Sequence, residues 1–304
     1  MKWNKLGNIY KANPVCENLL SHSANPLPIL IGGDLYRVFF NGRNSENKSS
    51  LGYFDFNIET LDVVNVCEKE VIKFGDDESY YSHGISIGND YKDLDGNLYI
   101  LFMAWQIRGS DHWRGDIGRI VVSSLDELYI EDTHNPFIGI NDIDKMSLSY
   151  PWVYNDGEQY SMIYGSTVSW KEENGEMLHV LNFAESSNGH QWEQKGLAIP
   201  YELGKAQAFS RPTYVKINDK EHLWFSYRSG TGEKYRIGHS LKSESGLWQL
   251  NVENPGIDVS QEKEAWDSEM ICYPYILKHK HKTYMFYNGN GFGKSGIGLA
   301  VLEE

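Results

Sequence analysis

Bulky apolar residues alternate with polar ones over short stretches, and clusters of Gly, Asn and Asp interrupt the alternation at intervals. Leu35 to Phe40, Leu98 to Trp105, Gln159 to Tyr164, His222 to Tyr227 and Thr283 to Tyr287 are stretches of this kind. A period of two marks a strand with one buried face. Each stretch is followed by a second: Leu51 to Phe56, Arg119 to Ser123, Val180 to Ala184, Tyr235 to His239, and Gly296 to Val301. The breaks Gly32-Gly33-Asp34, Asp95-Gly96-Asn97, Asp156-Gly157 and Asn218-Asp219 predict tight hairpins. No segment keeps a clear helical period for more than two turns.

A short motif stands ahead of each strand pair. The five copies are Ala24-Asn25-Pro26-Leu27, Ser82-His83-Gly84-Ile85, Ser149-Tyr150-Pro151-Trp152, Ser210-Arg211-Pro212-Thr213 and Cys272-Tyr273-Pro274-Tyr275. Their Pro or Gly positions, 26, 84, 151, 212 and 274, are spaced by 58, 67, 61 and 62 residues. The residues after Pro274 and those up to Pro26 together number 56, close to one more period. Four-stranded units repeated at such a period predict an all-β fold, a five-bladed β-propeller in which residues 1–304 form one domain. Outer strands carry a tryptophan in Gln191-Trp192-Glu193-Gln194-Lys195-Gly196 and in Leu247-Trp248-Gln249. Lys2-Trp3-Asn4-Lys5-Leu6-Gly7 matches the first of these, so the N-terminal strand is expected to close the last blade beside Gly296 to Val301.

Composition narrows the function classes. The 20 Tyr, 12 Phe, 9 Trp and 29 Gly suit strands and turns. With 28 basic against 42 acidic residues the formal charge is -14, which disfavours nucleic acid and anionic membrane surfaces as partners. No apolar run approaches the roughly 20 residues of a membrane span. Met1 to Lys5 lacks the apolar stretch of a secretory signal, so a cytoplasmic setting is expected. Cys16, Cys67 and Cys272 lie far apart without a CxxC, and His279 and His281 fall in a solvated basic turn. Neither a metal nor a cofactor is expected. Gly289-Asn290-Gly291-Phe292-Gly293 joins two strands and opens no helix, so it is no phosphate loop.

A propeller brings distant residues together at one end of its axis. Inner strands begin there, and second strands return to it. The inner-strand starts contribute Asn25, His83, Tyr150, Arg211, Asp267 and Glu269. The second-strand ends and the turns after them contribute Arg43, Arg108, Arg228, Asn288 and Asn290. The long loop from Gln106 to Asp116 adds Asp111, His112 and Trp113. Aromatic faces stack on sugar rings, while amides and arginines satisfy hydroxyls. Arginines also suit a phosphate or a sugar acid. The expected ligand is a carbohydrate or sugar phosphate.

Five local stretches resemble the five-bladed glycoside hydrolase superfamily of arabinanases, xylosidases, invertases and mannoside phosphorylases. They are Ser82-His83-Gly84, Phe209 to Pro212, Tyr235 to Gly238, Trp266 to Pro274 and Tyr287 to Gly293. The chain looks most similar to glycosidase-like proteins encoded with bacterial surface-polysaccharide genes. The resemblance implies an enzyme acting on a glycosidic bond or activated sugar. It also implies an aspartate base in the first blade, a second aspartate in the next and a glutamate acid in the third. Here those positions hold Asn25, His83 and Ser149-Tyr150, so the three-carboxylate site is incomplete. By elimination Glu269 is the expected catalytic carboxylate, with His83 and Asp267 beside it. The alternative is a carbohydrate-binding propeller without catalysis.

Overall fold

The computed structural model describes residues 1–107, 109, 112–230 and 234–303. Arg108 and Asp111 lie outside the described residues. The chain opens with β1 (Trp3–Tyr10) and continues into β2 (Ser21–Gly32), β3 (Leu35–Arg43), β4 (Ser49–Asn57) and β5 (Asp62–Val66). Next come β6 (Gly84–Lys92), β7 (Leu98–Ile107), β8 (Trp113–Ser124) and β9 (Glu127–Ile130). A third run is β10 (Leu148–Asn155), β11 (Tyr160–Ser169), β12 (Leu178–Ser186) and β13 (Glu193–Leu197). The fourth is β14 (Ser210–Ile217), β15 (Lys220–Tyr227), β16 (Arg236–Lys242) and β17 (Trp248–Asn251). The last is β18 (Cys272–His279), β19 (Lys282–Asn288) and β20 (Ile297–Leu302).

Within each run every strand pairs antiparallel with the next. The first two runs are joined by a single parallel bridge from Ser49 to Gly84. The last run gains its outer strand from the other end of the chain. There β1 pairs with β20, Trp3 opposite Leu302 and Tyr10 opposite Ile297. The first strands touch one another in order: β2 meets β6, β6 meets β10, β10 meets β14, β14 meets β18, and β18 meets β2. Apolar residues fill the space between neighbouring runs. Phe54, Phe56, Phe286 and Leu299 pack between the first and last, and Trp3 lies edge-on to Trp224 with ring centroids 5.6 Å apart. Among the described residues no helix is long and apolar enough to cross a membrane.

The inner strands share an irregularity that the motif spacing only half reveals. In four runs the first strand slips against the second, between Ala24 and Leu27, Ser149 and Trp152, Ser210 and Thr213, and Cys272 and Tyr275. The extra residue adopts a left-handed backbone at Asn25, Tyr150, Arg211 and Tyr273, with φ of 56, 37, 45 and 55°. None of these is glycine, and each such residue costs about 1–2 kcal/mol relative to a right-handed one. In the second run the slip lies between Ile87 and Asp90. The second motif is therefore Ile87-Gly88-Asn89-Asp90, not Ser82 to Ile85. Aligned in this way, positions 26, 89, 151, 212 and 274 are spaced by 63, 62, 61 and 62 residues. Asn89 replaces the proline of the other copies. Its side chain accepts from the Val153 N–H at 2.8 Å and donates to the Val153 carbonyl at 2.7 Å, stitching the second run to the third. Gly88 is required because a Cβ there would sit 2.1 Å from the Pro151 carbonyl oxygen.

Candidate functional site

The slipped segments surround a cavity of about 290 Å³. Three of the four left-handed residues, Asn25, Tyr150 and Tyr273, line it together with some of their neighbours. Asn25, Ser149, Tyr150, Ser210 and Tyr273 come from first strands, and Asn41, Arg43, Met103 and Trp105 from second strands. Trp113, His179, Arg228, Tyr235 and Phe292 also contribute to its wall. Five residues expected in one pocket are thus together there: Asn25, Arg43, Trp113, Tyr150 and Arg228.

The amide pair on this wall is held in a fixed orientation. Asn41 Oδ1 accepts from the Ile87 N–H at 2.8 Å and from Asn25 Nδ2 at 3.3 Å. The Asn25 N–H in turn donates to Asn288 Oδ1 at 2.9 Å. Both side chains are only 2% exposed, yet Asn25 Oδ1 and Asn41 Nδ2 have no protein partner. The wall therefore presents a buried acceptor beside a buried donor. Buried polar atoms are normally satisfied, so such a pair points to a ligand or an ordered water.

Arg43 Nη1 donates to Asn47 Oδ1 at 2.8 Å. Arg228 donates to Glu176 at 2.7 Å and lies over the Tyr235 ring at 5.1 Å, while its Nε is buried without a partner. Tyr150 tilts against Tyr273 at 5.4 Å, and Trp113 stands edge-on to Trp170 at 5.0 Å. His179 lies 2.6 Å from Ser149 Oγ and 2.8 Å from Thr167 Oγ1. Burial, followed by Arg228, pushes its pKa down to about 3, so the ring is neutral. Among the described lining residues there is no carboxylate.

The other expected site residues have different placements. Arg211 is 1% exposed and donates to the carbonyls of Pro26, Gly88 and Tyr273 at 2.7, 3.2 and 3.1 Å. It ties three other first strands to its own. Burial pushes its pKa down to about 10, which still leaves it charged at neutral pH. His83 does not line the cavity, because the slip that turns residues inward comes four positions later. Its Nδ1 faces the Ile107 N–H at 3.3 Å, and burial and Lys48 lower its pKa. Glu269 is exposed, outside the cavity wall, and ion-paired with Lys234. Asp267 is buried between chain ends, accepting from Lys5 Nζ at 2.7 Å and Tyr287 Oη at 3.1 Å.

Asn288 acts on the site through Asn25, while donating to the carbonyls of Ser23 and Gly296 at 2.7 and 3.0 Å. Asn290 caps the Glu269 and Met270 N–H groups, and exposed His112 stacks on Trp170 at 4.6 Å. His179, Trp105, Met103, Tyr235 and Phe292 were not expected in the wall. His179 lies at the start of the third strand β12 and Tyr235 just before the third strand β16, and a reading limited to first and second strands passes over them. At the hairpin ends of the first and last runs, His279 lies 2.9 Å from Asp34, and Lys280 and Lys282 pair with Asp34 and Glu59. That cluster is an ion-pair network whose carboxylates are already neutralised by lysines.

Comparison with known proteins gives relatives in sequence and in shape. Rv1502, an uncharacterized protein of Mycobacterium tuberculosis strain H37Rv, is 34% identical over 307 residues, spanning the whole of both proteins. The chain belongs to the Rv1502 family. The same identity and coverage hold for MT1551 of strain CDC 1551. No family model matches the chain. In shape, this member of the Rv1502 family is similar to BT0996 in its RGII complex, with a TM-score of 0.77 at 13% identity over 99% of this protein and 93% of that one. It is also similar to the α-L-arabinofuranosidase PaAbf62A of Podospora anserina in complex with cellotriose, with a TM-score of 0.70 at 15% identity over 100% and 97% of the two proteins. At these identities the likeness is one of fold: an all-β architecture shared with glycoside hydrolases.

Proposed function

We propose that this chain is a five-bladed β-propeller of the glycosidase-like, carbohydrate-active class, and that its axial cavity binds a sugar. Support for five blades comes from the five antiparallel runs, the ring of first-strand contacts and the pairing of β1 with β20. The observation that carries the function is the cavity wall. Flat aromatic faces at Trp105, Trp113, Tyr150 and Tyr273 surround the unpartnered Asn25 Oδ1 and Asn41 Nδ2. A sugar hydroxyl, donor and acceptor at once, matches that pair, and sugar C–H faces match the rings. The ligand class is a carbohydrate or sugar phosphate, and its setting is bacterial surface-polysaccharide metabolism.

A second reading, cleavage of a glycosidic bond, is favoured by the glycoside hydrolases that share the fold. That chemistry uses two carboxylates flanking the bond. The described wall supplies none, and Glu269 and Asp267 stand outside it. Binding without hydrolysis therefore fits the wall better. The test is a panel of monosaccharides, uronic acids and sugar phosphates followed by tryptophan fluorescence, with chromogenic glycosides assayed in parallel. Trp113→Ala is expected to weaken sugar binding by about tenfold, the worth of one well-placed aromatic contact. Turnover that Glu269→Gln abolishes would instead establish the second reading.

A further inference from the structure

Arg43 and Arg228 both reach the cavity, and their charges have different fates. Arg228 is neutralised by Glu176. Arg43 meets only the neutral amide of Asn47, and no carboxylate lies within ion-pair distance of it among the described residues. A second cation, exposed Lys294, follows the turn at Phe292, itself a wall residue. Both charges bear on His22, whose pKa is pushed down to about 4 by burial first, then by Arg43 and Lys294. In a chain with 42 acidic residues, this edge of the cavity carries positive charge that no described carboxylate pairs with. Arg43 and Asn41 also lie two residues apart on β3, so their side chains leave the same face, roughly 7 Å apart along the strand. The free donor of Asn41 and the Arg43 guanidinium, whose Nη1 bonds Asn47, thus stand about one sugar ring apart.

We propose that the sugar bound in this cavity carries an anionic group, a phosphate ester or a carboxylate, which Arg43 receives while the Asn25–Asn41 pair holds ring hydroxyls. The proposal rests on the carbohydrate reading above. Guanidinium suits both anions because its planar fork donates two parallel hydrogen bonds to either. The buried, unpartnered Asn25 Oδ1 and Asn41 Nδ2 set the sugar beside that fork, so an anion without a sugar would leave them unsatisfied.

The test uses the full chain and reads two signals. Tryptophan fluorescence reports the sugar, and the Nε–Hε resonance of Arg43, assigned by its loss in Arg43→Gln, reports the anion. The probes are glucose, galactose and mannose, their 1-phosphates, the matching uronic acids, and inorganic phosphate alone. At least one anionic derivative is expected to bind about tenfold or more tightly than its neutral parent and to shift the Arg43 resonance. Arg43→Gln should reduce that preference to within about threefold, read as the ratio of the anionic to the neutral affinity measured on the variant itself. Thermal unfolding of the variant confirms that it folds. The derivatives that win, phosphates or uronic acids, identify the source of the anion. Equal affinity for neutral and anionic sugars, or a preference unchanged in Arg43→Gln, overturns the anionic subsite and leaves the sugar reading intact. Inorganic phosphate shifting Arg43 as tightly as any sugar derivative, with no sugar altering fluorescence, overturns the joint proposal through its sugar half. Silence of both signals for every probe overturns it through both halves.

Discussion

Arg211 and Arg43 are cations at the polar centre of an acidic chain, and the fold uses them in opposite ways. Arg211 spends three hydrogen bonds on the carbonyls of Pro26, Gly88 and Tyr273 and is sealed from solvent. Arg43 sits half-buried on the cavity wall with one amide contact. Arg211 opens a first strand and Arg43 ends a second one, positions that the repeat pattern brings to the same end of the molecule. The difference teaches that a charged residue near the axis is available for a ligand only when strand carbonyls do not consume its donors. Asn288 and Asn41 repeat the contrast. Asn288 satisfies both ends of its amide inside the protein, whereas Asn41 keeps one donor for the cavity.

The sharpest way to break this comparison is to remove each arginine. Arg211→Met strands three carbonyls in a dry interior and is expected to destabilise the fold by about 3 kcal/mol or more. Arg43→Gln should change stability by less than about 0.5 kcal/mol. Urea unfolding measures both, and equal losses would erase the distinction. Next in size is Gly88→Ala. Its Cβ meets a backbone carbonyl that cannot swing aside, so a loss of about 1–3 kcal/mol is expected in the same assay.

A third effect is a slope. His179 is held neutral, its pKa lowered from 6.5 to about 3 by burial and Arg228. The unfolded chain binds this proton first, so the stabilisation is complete above pH 6.5 and drains away as the pH falls toward 3. Its share of the slope is about 1.4 kcal/mol per pH unit. His179→Gln should flatten the acid limb of the stability curve by about that amount, and an unchanged slope would contradict a buried neutral ring. Smallest is Glu269→Gln. The pair with Lys234 is exposed on both sides, so a stability change within about 0.5 kcal/mol and unchanged sugar binding are expected. A large loss of affinity would draw Glu269 into the site and weaken the distinction between wall and surface.

Much was legible in the chain before any coordinates. Alternation at Leu35 to Phe40 or Thr283 to Tyr287 declares a strand because side chains on a strand repeat every two residues. The tryptophan of Lys2 to Gly7 marked an outer strand, and that segment does pair with β20. Asn25, Arg43, Tyr150 and Arg228 were nameable as pocket residues because first-strand starts and second-strand ends converge, and Trp113 because it belongs to the long polar loop after Gln106. The second motif is not legible by its letters, because Asn89 stands where the other copies carry proline and Ser82-His83-Gly84-Ile85 imitates their pattern five residues too early.

Tertiary structure alone decided which polar groups are spent and which are free. A sequence shows that Arg211, Asp267 and Glu269 carry charge near first-strand starts. It does not show that the first is bonded to three carbonyls, that the second holds Lys5 and Tyr287, or that the third faces water. Those fates depend on partners up to 262 residues away along the chain, as between Lys5 and Asp267. Local pattern fixes where a backbone turns, because steric rules act between neighbouring residues. Hydrogen-bond satisfaction is settled only when distant strands meet, because a donor's availability depends on every acceptor that packing brings within reach.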